Sequence, residues 1–199
     1  MVRDSRKRIW IGIGGATAVC VVLVLVAALP GKARVEGTTS AERVASVCRI
    51  ADARPAGAAR AIAEAAVGDP DASVRRASVL CLGKFARSAD RAAVDTASRD
   101  ADDTVRAAAA LTLARRGGED DAERLKEMVC DDSSETVRAA AADGLALDGS
   151  PVAVVALLEV MESGPTPEIR LTAGTALTKK YGVVTTLDPN DSDLWGNAV

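Results

Sequence analysis

Residues 102–118 read DDTVRAAAALTLARRGG, and this stretch decides the fold. Two acidic residues lead into a run of Ala, Val, Leu and Arg that ends on a glycine pair. With Val105 as position zero, the pair it forms with Arg106 recurs at Val74-Arg75, Val137-Arg138 and Ile169-Arg170, at spacings of 31, 32 and 32 residues. One more step back reaches Glu42-Arg43, a degenerate first copy. Three positions before each zero stand Thr39, Asp71, Asp102, Ser134 and Thr166. All five are residue types that cap a helix by accepting a backbone N–H bond. Pro167 follows Thr166 at the first helical position, where its missing donor does no harm. Four positions after zero come Ser46, Ser78, Ala109, Ala141 and Ala173, all small. Eight after come Ile50, Leu82, Leu113, Leu145 and Leu177, all large and apolar. Positions zero, four and eight share one face of a helix, so this face is the expected core.

Second apolar segments lie between these helices, at Pro55–Val67, Asp90–Ser98, Asp120–Cys130 and Pro151–Met161. In the last of them Leu157, Leu158 and Met161 are expected to point inward. Gly117-Gly118 and Gly149 mark turns. Each period is therefore a helix pair that cannot bury its apolar face alone, and stacking buries it.

The stretches DPDASVRRASVLCLGKF (69–85), DADDTVRAAAALTLARRG (100–117), DSSETVRAAAADGLALDG (132–149) and TPEIRLTAGTALTKKYG (166–182) carry a family pattern. Through them the chain resembles the HEAT-repeat superfamily over residues 39–182. The likeness is strongest to the short bacterial HEAT-like form also found in phycobilin lyase subunits. The family pattern places an acidic residue five before the Val; Asp69, Asp100 and Asp132 fit it and Gly164 does not. Departures at Glu42 and Gly164 fall in the terminal units, where caps are atypical. The resemblance implies an all-α, right-handed solenoid of about four to five helix pairs. The motif encodes stacking and specifies no activity.

Composition narrows the function classes. Apolar residues are 48% and aromatics 2%, so the core must be Ala, Val and Leu. There is no histidine, which excludes His-based metal sites, His relays and Ser-His activation within the chain. Residues 1–8 carry a net +3 and the remainder –6. A mildly acidic body argues against nucleic acid as the ligand. No cysteine pair has the C-x-x-C spacing of a zinc ribbon or redox site.

Residues 9–29, IWIGIGGATAVCVVLVLVAAL, contain no charge. At 1.5 Å per residue they span roughly 31 Å, the depth of a bilayer's hydrocarbon. Trp10 marks one edge and Pro30-Gly31 end the run. Basic residues before it outnumber the nearby ones after it (Lys32 and Arg34), which places the N-terminus in the cytoplasm and the repeats outside. The expected organisation is a basic segment (1–8), a transmembrane signal anchor (9–30), a linker (31–38), the repeat domain (39–182) and an irregular tail (183–199). A cleaved signal peptide is the alternative, with Val26-Ala27-Ala28 or Gly31-Lys32-Ala33 as its cleavage site. The glycines of GIGGAT (12–17) follow no strand and make no phosphate loop.

The series Arg75, Arg106, Arg138 and Arg170 reads either as a basic ladder for an acidic ligand or as a brace. The brace pairs each with the Asp five before a Val, in its own or a neighbouring unit, and is the preferred reading. The acidic clusters Asp100/Asp102/Asp103 and Asp131/Asp132/Glu135 lack a calcium loop's alternation and read as helix starts. No metal, cofactor or catalytic residue is therefore assigned. Cys48 and Cys81 fall one register apart in adjacent units and are a candidate disulfide, with Cys130 left over. Arg76, Arg115, Arg116, Lys179 and Lys180 are expected on the helix surface. Three readings stay open for Leu194-Trp195 in the tail: cover for the end of the stack, an anchor for a partner, or a disordered terminus with a loosely held Trp.

The expected function is a non-catalytic, membrane-anchored scaffold for an unidentified protein partner. Three alternatives stay open: an accessory subunit docked through its span, a lyase-type enzyme subunit, and a secreted repeat protein.

Overall fold

A computed structural model describes residues 33–85 and 91–182 of the chain. Among these are nine α-helices and no strand: α1 Ser40–Ala53, α2 Ala58–Gly68, α3 Ala72–Leu82, α4 Arg91–Ala97, α5 Asp103–Arg116, α6 Glu119–Asp131, α7 Glu135–Asp148, α8 Pro151–Ser163 and α9 Pro167–Tyr181. The expected membrane span and the tail lie outside the described residues. No helix among the described residues is long and apolar enough to cross a membrane.

The helices form two layers. The odd helices pack in succession, α1 on α3, α3 on α5, α5 on α7 and α7 on α9; among the even helices α2 packs on α4 and α6 on α8, while α4 and α6 are joined by side-chain bonds such as Arg91–Asp120. Each even helix also packs against the odd helix that follows it, so units interlock as well as stack. The odd helices are the ones that begin with the repeated capping positions.

Their starts follow from those caps. Asp71 accepts the amide of Ser73, Asp102 accepts those of Thr104 and Val105, and Thr166 accepts that of Ile169. Thr39 and Glu42 form a reciprocal capping box, with the Glu42 carboxylate taking the Thr38 and Thr39 amides at 2.8 and 3.2 Å. That explains Glu42 in place of Val: the first unit uses the position to close its own start. Ser134 corrects the expectation. It occupies the N-cap, but its side chain accepts no backbone bond; its hydroxyl donates instead to Asp103 of the preceding unit at 3.0 Å.

The core is assembled from the repeated face. Val74, Val105 and Val137 are fully buried, as are Leu113 and Leu145, and Leu82, Ile169 and Leu177 are buried beside them. The small residues at position four are all buried. The neighbouring position five is buried too, through Val47, Val79, Ala110, Ala142 and Gly174. In the first unit Val47 is wholly buried while Ile50 stays half-exposed, because no unit packs on its other side in the described stack. Leu157 is buried as expected, but Leu158, one residue round the helix, is 39% exposed.

Small residues set how closely helices approach. A Cβ on Gly144 would lie 3.3 Å from Ala114 Cβ and 3.4 Å from Leu125 Cδ2, so α7 sits nearly backbone-close to α5. Gly149 ends α7 in the left-handed region, φ 62°, and donates its amide to Leu145. With cores this dense, truncation leaves a hole. Leu113→Ala should cost about 3 kcal/mol in urea unfolding, and Leu158→Ala less than about 0.5 kcal/mol. Equal shifts for the two would contradict this core.

Candidate functional site

One interaction repeats along the odd layer. Arg43 Nε lies 2.8 Å from Asp69 Oδ2, Arg75 Nε 2.8 Å from Asp100 Oδ2, and Arg106 Nε 2.8 Å from Asp132 Oδ2. In each case Nη2 bonds the second carboxylate oxygen at 2.8 to 3.0 Å, making a two-pronged pair. The Asp belongs to the next unit. The third guanidinium nitrogen turns back to its own unit: Arg75 Nη1 donates to Asp69 O at 3.0 Å and Arg106 Nη1 to Asp100 O at 2.9 Å. The Asp has a second task. Its Oδ1 accepts the amide two residues on, at Asp71, Asp102 and Ser134, each at 2.9 Å, fixing the turn before the helix.

The ladder stops after three rungs. Arg138 and Arg170 still donate to their own turns, at Asp132 O (2.9 Å) and Gly164 O (2.7 Å). Among the described residues neither has a salt-bridge partner: for Arg138, Gly164 stands where the next Asp belongs, and for Arg170 the corresponding position lies outside the described residues. A Cβ on Gly164 would meet Val160 O at 2.5 Å, so the local chain path excludes any side chain there. Among the described residues the pairing expected of the Arg series is therefore present at Arg75 and Arg106, extends to Arg43, and is missing at Arg138, while the next-unit position for Arg170 lies outside them.

The pairs shift the acidity of their members. Arg75 holds the Asp100 carboxyl below its usual range, outweighing the burial that pushes it up. At Asp69 and Asp132 burial pushes up hardest, yet the combined bonds from arginine and the turn amide leave both lowered.

Arg116 was expected on the surface and is not. Its side chain is only 9% exposed. Nε bonds Asp121 Oδ2 at 2.6 Å, Nη2 bonds Asp121 Oδ1, and Nη2 lies 3.0 Å from Asp95 of the preceding unit. The Gly117-Gly118 turn brings Asp121 back over Arg116. A further tie joins the even layer: Arg124 donates to Ser98 Oγ and Ser98 O at 3.0 and 2.9 Å. Arg76, Arg115, Lys179 and Lys180 are exposed as expected.

Cys48, Cys81 and Cys130 are free thiols. Cys48 and Cys81 are nonetheless brought near one another across α1 and α3, close enough for the Cys48 thiol to influence the charge of Cys81. Burial, and then the neighbouring thiol, push the Cys81 thiol up to about 11. Among the described residues no group of three or more Cys, Asp and Glu is arranged to hold a metal.

Two hollows open on the odd layer. One, of about 420 Å³, runs between α3 and α5, floored by Ala72, Leu80, Ala107 and Leu111 and edged by Arg76 and Asp102. The other, of about 310 Å³, runs from α5 to α9, with Leu111, Ala146, Leu147 and Ala176 flanked by Asp143, Lys179 and Lys180. Leu111 lines both, so the two hollows adjoin at that residue, a furrow with an apolar floor and charged banks. A third hollow, of about 290 Å³ on the even layer, is lined by charged groups. Arg91–Asp120 and Arg124–Glu127 pair there at 2.6 and 2.7 Å. Sequence reasoning missed the furrow. Among its residues Arg76 and Ala107 fall two positions after zero, and Leu80, Leu111 and Asp143 six after, where the first unit has Cys48.

Stability should follow the ladder's acidity. Carboxyls depressed in the fold stabilise it fully above their unfolded value near 4, and that stability is lost as pH falls through the folded values. Urea midpoints should therefore drop steeply below about pH 4. Asp100→Asn should lower the midpoint at neutral pH and flatten the acid slope, since the amide keeps the turn but cannot titrate. An unchanged slope would contradict the assignment.

The family model for HEAT repeats matches residues 59–146 and, in an overlapping window, 91–178. No curated protein matches the chain.

Proposed function

The chain belongs to the HEAT-repeat family, and from that premise we propose that it is a non-catalytic scaffold that holds a protein partner on its odd-helix layer. The observation that carries this reading is the furrow shared through Leu111. Its floor of Leu and Ala offers apolar contact, and Arg76, Asp102, Asp143, Lys179 and Lys180 on its banks offer charge for orientation. It crosses successive units, as an extended ligand requires. Leu147, 49% exposed, supplies apolar contact at its far end.

The scaffold is tethered. The uncharged residues 9–29 support a single membrane span with a cytoplasmic N-terminus and an extracytoplasmic repeat domain, coiled as a right-handed solenoid. Tethering confines the furrow to one membrane and raises its local concentration there.

Two variants test the furrow. Leu111→Glu places a charge on its floor, and Lys179→Glu with Lys180→Glu inverts one bank. Both should reduce recovery of a stoichiometric partner crosslinked in membranes by at least about ten-fold, the loss of a modest hot spot. Arg60→Glu on the even layer should leave recovery unchanged. Equal recovery with all three would sink the reading. Removing residues 1–32 should release the chain from the membrane fraction without unfolding it. Exchanging residues 9–29 for an unrelated apolar span should spare partner recovery; loss of recovery would favour an accessory subunit docked through its span.

A further inference from the structure

The seam between the first two odd helices is held at three levels. At one end Arg43 grips Asp69. At the other, Lys84 Nζ lies 2.9 Å from Asp52 Oδ1, and Arg54 donates to Lys84 O at 2.8 Å while lying 5.5 Å over the Phe85 ring. Between them sit Cys48 of α1 and Cys81 of α3. Asp52 is one helical turn beyond Cys48, and Lys84 is three residues beyond Cys81, so the ion pair and the thiols belong to the same line of contact. The two thiols are neighbours across the packed α1 and α3 helices, inside a seam whose register is fixed on both sides by Arg43–Asp69 and Lys84–Asp52. No such pair joins the later units in the described residues; Leu111 and Asp143 stand where Cys48 does.

We propose that Cys48 and Cys81 form a reversible disulfide that staples the first unit to the second. The roles of the two sulfurs differ. Cys48 is exposed and Cys81 is 5% exposed, so Cys48 meets the oxidant. The oxidant is a disulfide-bearing molecule, a small one or a protein. The Cys48 thiolate attacks one of its sulfurs, the oxidant's S–S bond breaks, and one thiolate leaves. Cys81 then gives up its proton to solvent and attacks Cys48 Sγ in the mixed disulfide. The Cys48–Cys81 bond forms and the second oxidant thiolate leaves. The two cysteines are oxidised by two electrons, and the oxidant's disulfide is reduced to two thiols. Burial keeps Cys81 protonated in the free chain, so it acts second.

The bond closes a ring through the end of α1, all of α2 and most of α3. It constrains the unfolded chain and fastens the one terminal unit whose core helix carries Glu42 in place of the buried Val. The staple requires no partner, so its failure leaves the scaffold reading intact and the converse also holds.

Peptide mapping tests it. The full chain, in detergent, is treated with oxidised glutathione, alkylated and digested without reduction. The expected product joins the Cys48 and Cys81 peptides and leaves Cys130 alkylated. In C81S, Cys48 should retain glutathione; in C48S, Cys81 should stay a thiol. The oxidised wild-type chain should melt several degrees higher than the reduced one, with the gain reversed by dithiothreitol. Cys48 and Cys81 both alkylated, a Cys48–glutathione adduct that persists in the wild type, or crosslinking to Cys130 would overturn the pairing. Equal melting of oxidised and reduced chains would overturn the staple.

Discussion

The structure depends on one guanidinium held between two units. Arg75 and Arg106 each grasp the carboxylate of the next unit and the carbonyl of their own turn. The carboxylate, in turn, shapes the turn from which the next helix starts. Asp suits the place and Glu would not: its short side chain reaches the amide two residues on while leaving both oxygens for the fork. Every rung thus couples the path of one unit to the start of the next, which fixes a period of 31 to 32 residues. At Gly164 the coupling ends, and α9 is held by apolar packing, with Lys179–Asp143 at 2.7 Å on its rim.

Between rungs the chain relies on small side chains. Alanine keeps the helices formed at little entropic cost and lets them pack closely. Gly144 takes this furthest, against Ala114 and Leu125. The same smallness reaches the outer face, where Ala72, Ala107 and Ala146 leave the furrow shallowly open and Leu80, Leu111 and Leu147 stand in it. The architecture and the proposed binding surface therefore come from one compositional choice.

The helices, their caps and the buried face were legible in the sequence because they repeat at fixed offsets, and a helix's own geometry converts offsets into faces. What was not legible depends on neighbours in space. The direction of the Arg–Asp pairs was open, since each Asp stands near an Arg in its own unit as well as in the preceding one. Ser134 abandoned its cap because Asp103 happens to lie within reach. Arg116 looked like a surface charge until the Gly117-Gly118 turn laid Asp121 across it. The furrow went unseen because its floor of Ala and Leu matches the core in composition and differs only in orientation. Arg138 could be doubted from Gly164 alone, a signal that was present and correctly placed.

The most direct test of the ladder is a double-mutant cycle on Arg106→Ala and Asp132→Ala, read by urea unfolding at neutral pH. The cycle cancels the turn lost with Asp132 and isolates the pair. The ladder predicts a coupling energy of about 1.5–3 kcal/mol. It also predicts that Arg138→Ala, which removes no carboxylate bond, costs less than Arg106→Ala. Strictly additive losses, with a coupling near zero, would contradict the claim that these pairs hold the units together.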